Sequence, residues 1–150
     1  MKNILKAKIG FQSGTKAGII GSVTFTFIFA LTYFIDVGIS FTSLTFELIE
    51  FFSLLLSVSI FGAVIGGLFG TLISLTVKTP RFAVTIGVVI GIIAGSLYPI
   101  LLLVIDGVQL RYLLILFIGL TTGAFAGRYG GLDFRSKWAK NKDMNQAYNL

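Results

Sequence analysis

The chain has 150 residues, enough for one domain. Hydrophobic residues make up 55% and charged residues only 12%, about half the charged share of a soluble domain, and a soluble protein of this size has no interior large enough to hide that much apolar surface. Lys and Arg number 12 against 6 Asp and Glu, with no His and no Cys, which excludes disulfides, thiolate nucleophiles, Cys/His zinc sites, His-ligated haem and His-based catalytic triads.

In chain order, a basic arm with Lys2, Lys6, Lys8 and Lys16 precedes a charge-free stretch, 17–35, which predicts the first membrane helix. The apolar run is too long for a signal peptide and no small-x-small cleavage site follows it, so it reads as a span. Residues 36–51 mix Phe41, Leu44, Phe46, Leu48 and Ile49 with Ser and Thr. They form an outer loop at the membrane surface, or in part an outward extension of the second helix from near Thr45. The second span is 52–77. The connection Lys78-Thr79-Pro80-Arg81 follows, with Thr79 as a cap and Pro80 at the first helical position, where its missing N–H costs nothing. A link this short predicts that helices two and three are antiparallel neighbours, and the same holds for helices three and four. The third span is 82–105, and Pro99 predicts a kink in its outer half. Asp106-Gly107 reads as a tight turn, and Asp106 with Gln109 fits a capping box for a fourth span, 108–128, with Arg111 snorkelling at its outer end. The last segment, 132–150, is a basic cytoplasmic tail.

The charge-free stretches 17–35, 51–77, 82–105 and 112–127 measure roughly 28, 40, 36 and 24 Å as helix, against the ~30 Å hydrocarbon core. The fourth reaches that length when its helix starts near Gly107. The predicted fold is therefore all-α: a polytopic four-transmembrane-helix bundle. With four spans, eleven of the twelve basic residues fall on one side, in the arm, the Lys78/Arg81 link and a tail that adds Arg128, Arg135, Lys137, Lys140 and Lys142. The other side holds Arg111 with Asp36, Glu47, Glu50 and Asp106. The positive-inside bias then puts both termini in the cytoplasm, in a cell or inner membrane. Lys16, Lys78, Arg81, Arg128, Arg135, Lys137 and Trp138 are the expected topology and headgroup contacts. That placement also explains the basic balance without nucleic acid.

Glycine recurs at every fourth position once per helix: Gly10, Gly14 and Gly18; Gly62, Gly66 and Gly70; Gly87, Gly91 and Gly95; Gly119, Gly123 and Gly127. Residues four apart share a helix face, and faces without side chains let backbones approach closely. These GxxxGxxxG stripes predict glycine-zipper helix packing. With the amino terminus inside, all four stripes fall in the inner half of the bundle. The outer halves carry bulk instead, such as Phe25, Phe27 and Phe29, Phe51 and Phe52, and Leu101 to Leu103.

Little chemistry remains. No charge sits in mid-span, which argues against ion coupling. The hydroxyls of Thr24, Thr26, Ser57, Ser59, Thr71, Ser74, Thr121 and Thr122 are expected to bond backbone carbonyls or to hold helices together rather than line a polar path. Asp36, Glu47, Glu50 and Asp106 share the outer surface, but nothing there has the spacing of a cation-binding loop. The sequence thus predicts no catalytic, cofactor-binding or metal site. The expected partners are the lipid bilayer and other membrane proteins or a second copy. The expected function is a non-enzymatic structural or assembly subunit, the alternative being a small channel or transporter, oligomeric or single, with a wider outer vestibule.

Overall fold

The computed structural model describes residues 2–37, 44–77 and 79–147. They form four helices: α1 (Lys2–Val37), α2 (Leu44–Thr76), α3 (Pro80–Asp106) and α4 (Leu110–Ala147). Each contains a stretch long and apolar enough to cross a membrane: Asn3–Leu31, Leu48–Thr76, Arg81–Ile105 and Leu110–Asn141. The helix of the first span extends back through the basic arm to Lys2, and α2 begins already at Leu44, so 44–51 is helical. Residues 38–43 of the predicted outer loop lie outside the described residues.

Local chemistry sets the boundaries. Thr79 stands at the N-cap of α3 with an extended backbone, φ −123° and ψ 134°, and Pro80 follows at the first helical position. The Phe82 N–H donates to the Thr79 carbonyl over 3.1 Å, while the Thr79 side chain makes no capping bond. α3 runs unbroken through Pro99, whose ring is buried against the neighbouring helix near Gly119. It stops at Gly107, which has φ 78°, a value that penalises any Cβ. The capping box expected from Asp106 is replaced. Asp106 is the last residue of α3, and α4 begins at Leu110, just after Gln109, whose carbonyl accepts from the N–H groups of Tyr112 and Leu113 at 3.0 and 3.2 Å.

The helices pack as two antiparallel hairpins. In the first, α1 and α2 meet glycine to glycine. A Cβ on Gly10 would collide with the carbonyl of Gly70, one on Gly14 with that of Gly66, and one on Gly18 with that of Gly62. The second hairpin repeats the arrangement: Gly87 faces Gly127, Gly91 faces Gly123 and Gly95 faces Gly119. The hairpins join through α1 and α4, where a Cβ on Gly21 would lie 2.8 Å from Ala126 and one on Gly130 2.8 Å from Ala17.

The expectation that α2 and α3 are close neighbours is corrected. They barely touch, although only a short link separates them. A short link keeps two helix ends together but supplies no face for the rest of their length. The small faces of α2 and α3 are occupied by α1 and α4, and what remains on each is bulky and apolar. The row therefore runs α2, α1, α4, α3, open between its two ends. Beyond the glycine column of the first hairpin, Phe27 of α1 meets Phe51 of α2 edge to face at 5.6 Å.

Candidate functional site

The opening between α2 and α3 leads into a cleft of about 570 Å³, within the ~300–1,000 Å³ range of small-ligand sites. All four helices line it. Its floor is the α1–α4 contact, with Ser13, Ala17, Gly21, Thr26, Ala126 and Gly130. Its walls are Val58, Ile65 and Phe69 of α2 and Ile90, Ala94 and Tyr98 of α3. Almost every lining atom is apolar. On α1 the lining runs from Gly10 to Phe29, about 28 Å along the axis, so the cleft is long and narrow.

Its end nearest Lys6 and the start of α3 is closed. Ile9, Val77, Ala83 and Phe134 form a buried apolar cluster, with Ile73, Ile86 and Trp138 packed against it. Phe134 stacks on Trp138 at 6.3 Å between ring centroids, and the Lys6 ammonium stands 5.8 Å from the centre of the Trp138 ring while donating to the Val77 carbonyl. Four parts of the chain meet here: the basic arm, the end of α2, the start of α3 and the continuation of α4 beyond its glycines.

Next to this plug is a small polar network. Ser13 is 1% exposed, and its hydroxyl donates to the Asp133 carboxylate over 2.7 Å. Lys137 donates to the same oxygen over 2.6 Å, one turn along α4. A buried hydroxyl facing α4 needs an acceptor, and Asp133 supplies one whose charge is matched on its own helix. Replacing Ser13 with alanine should lower stability by about 1.5–3 kcal/mol, the range for a bond to a charged acceptor. A double-mutant cycle with Asp133→Ala, read by reversible denaturation in mixed micelles, checks that this loss belongs to the pair; additive costs would refute the assignment.

Of the expected headgroup contacts, Lys16, Arg81, Arg128 and Arg135 are exposed, Lys137 is half-buried in its pair with Asp133, and Trp138 is half-buried on the plug. Lys78 lies outside the described residues, as do the side chains of Asp36, Glu47 and Asp106, on which the outer acidic grouping depends. Among the described residues no group of three or more metal-ligating side chains forms. Five of the eight hydroxyls singled out in the sequence bond carbonyls of their own helix. Ser57 donates to the Ser53 carbonyl, Thr71 to Gly67, Ser74 to Thr71, and Thr121 and Thr122 to carbonyls one turn back.

Sequence reasoning overlooked Ser13, Asp133, Phe134 and Lys6. Two signals were available. Asp133 and Lys137 stand four apart, and so do Phe134 and Trp138, which is the spacing of neighbours on a helix rather than of an irregular tail.

Four apolar helices of spanning length, with bulky apolar side chains such as Phe52, Leu56, Phe82 and Leu97 exposed along them, define a multi-pass α-helical membrane protein. Compared with protein families, curated proteins and solved structures, the chain matches none.

Proposed function

We propose that this protein is a non-catalytic structural or assembly subunit that packs against other membrane proteins, with both termini on the cytoplasmic side of a cell or inner membrane. The observation that carries this reading is the outward surface of α2 and α3. Ile60, Val64, Leu68 and Leu72 follow one another along α2, and Ile93, Leu97 and Leu101 along α3, all exposed. In this reading the four stripes are glycine zippers whose small faces are used up inside the two hairpins. A partner then meets bulky side chains rather than glycine. The basic inner end, carrying Lys8, Lys16, Arg81, Arg128 and Arg135 on its surface, supports the orientation.

The channel reading draws on one feature, the long cleft. An apolar lining and a plugged inner end oppose water and ions there. Because the chain has no Cys, single cysteines report without background. Ser57 and Thr121 have exposed side chains and do not line the cleft, so the informative positions are Ser22, Thr26 and Ala94, which do. A water-soluble thiol reagent should leave all three unlabelled in native membranes, and photocrosslinkers on the outer face of α2 should trap a protein partner. Labelling at Thr26 would favour conduction instead.

A further inference from the structure

We propose that the two hairpins are rigid bodies that rock about the α1–α4 contact, so that the gap between α2 and α3 widens and narrows, with the plug as a catch that holds one end. The inference concerns motion in the fold and does not depend on the subunit role.

The kind of packing separates the rigid parts from the movable one. Within each hairpin the approach is backbone on backbone. The carbonyls of Gly70, Gly66 and Gly62 lie where a Cβ on Gly10, Gly14 and Gly18 would stand, and those of Gly127, Gly123 and Gly119 do the same for Gly87, Gly91 and Gly95. Such columns leave no side chain free to yield, so each helix pair moves as one piece. The contact between the hairpins differs. α1 and α4 touch less extensively than the helices inside either hairpin. There the Cβ atoms of Ala17 and Ala126 stand against Gly130 and Gly21, beside the buried Ser13, Thr26 and Thr122. Side chains that meet in this way slide past one another by small amounts, the shear of packed helices.

Connectivity fixes where the movement is largest. The connections after α1 and after α3 lie within the hairpins, and the chain passes from one hairpin to the other only between Thr76 and Pro80. At that end Ile9 and Val77 of the first hairpin pack with Ala83 and Phe134 of the second, and Ser13 donates to Asp133. Lys6 holds the Val77 carbonyl there while its ammonium stands over Trp138. At the opposite end of the cleft, Leu54 of α2 and Tyr98 of α3 belong to different hairpins, and α2 and α3 barely touch along their length. An almost wholly apolar lining has few hydrogen bonds to break as the gap widens, and the space gained admits hydrocarbon. α2 and α3 lie on the order of 10 Å from the α1–α4 contact, so a rotation of about 15° moves either by about 3 Å.

The test is double electron–electron resonance on the full chain in lipid nanodiscs, with spin labels on paired cysteines at exposed positions of a protein that has no Cys of its own. Ile19 with Ile60, and Leu97 with Phe117, report within the hairpins. Leu56 with Leu101 reports across the gap at its free end, and Leu72 with Thr85 across it beside the plug. The Leu56–Leu101 distance distribution should be about twice as wide as either within-hairpin distribution, while Leu72–Thr85 stays as narrow as they are. Lys6→Gln, which takes the ammonium from Val77 and Trp138, should broaden Leu72–Thr85 about twofold. Lys8→Gln, on an exposed side chain nearby, should leave it unchanged. A Leu56–Leu101 distribution as narrow as those within the hairpins would overturn the proposal, and so would within-hairpin distributions equally broad. A Leu72–Thr85 distribution unmoved by Lys6→Gln would overturn the catch. If Lys6→Gln fails to fold, as judged by helicity and chromatography, the comparison of the four pairs decides, since it needs no change inside the bundle.

Discussion

Gly91→Leu should open the second hairpin, at a cost on the order of 4 kcal/mol or more, the range reserved for severe steric faults. The reason is what surrounds Gly91. An added Cβ would collide with the carbonyl oxygen of Gly123 and lie 2.8 Å from its carbonyl carbon and 3.3 Å from the Cα of Gly127. These are backbone atoms of α4 and cannot turn aside as a side chain can. The helices must separate, and the whole column from Gly87 to Gly95 then loses its contacts together, because rigid helices part along their length. Even alanine should be costly here. Leu102→Ala, in the last two turns of α3, should cost about 1 kcal/mol or less, since lipid tails replace much of what the side chain touches. Denaturation in mixed detergent micelles measures both. Near-equal costs would show that the α3–α4 approach does not depend on the glycine column. Gly14→Leu in the first hairpin should mirror Gly91→Leu, because a Cβ on Gly14 meets Gly66 and Gly70 backbone in the same way.

The sequence made some of this arrangement legible and hid the rest, for physical reasons. The number of helices and the turn at Gly107 follow from local properties: a long charge-free stretch has to partition into hydrocarbon, and only glycine suits φ 78°. Which helix meets which is not local. Four small faces can be paired in several ways, and chain connectivity alone favours α2 beside α3 as much as α1 beside α2. The difference lies in what the remaining faces carry. Once α1 occupies Gly62, Gly66 and Gly70 of α2, the rest of α2 is Phe61, Ile65, Leu68 and Phe69, bulky side chains that keep any other helix from the backbone-to-backbone approach of the glycine columns. Asp106 misleads for a related reason. An acidic residue just before a helix resembles its cap, and the same residue can equally end the helix before it. Ser13 hides beside the glycine stripe of α1, where it looks like one more small residue. Its importance comes from Asp133, 120 positions away in sequence, which no local pattern reveals.

Charge density also separates 132–150 from the spans, and composition alone makes that segment a solvated tail. The helix does not end there: α4 continues to Ala147, and Phe134 is only 4% exposed. Phe134→Ala should therefore cost about 3–5 kcal/mol, the range for emptying a packed aromatic site, although Phe134 lies among Arg135, Lys137 and Lys140. Three contacts fail at once. The plug loses its largest side chain, Trp138 loses its stacking partner, and Lys6 loses the ordered ring beneath it. Arg135→Ala, one position along on an exposed side chain, should change stability by no more than about 0.5 kcal/mol. Trp138 is the only tryptophan, so its fluorescence reports on this site without ambiguity. In Phe134→Ala its emission should shift to longer wavelength as water reaches the ring, and reagents should gain entry to cysteines placed low in the cleft, at Ser13 or Ala83. A variant with unaltered stability and emission would mean that the basic segment is an appendage. In that case this end of the cleft must be closed by Ile9, Val77 and Ala83 alone, three side chains with too little bulk to exclude water from a gap that four helices share.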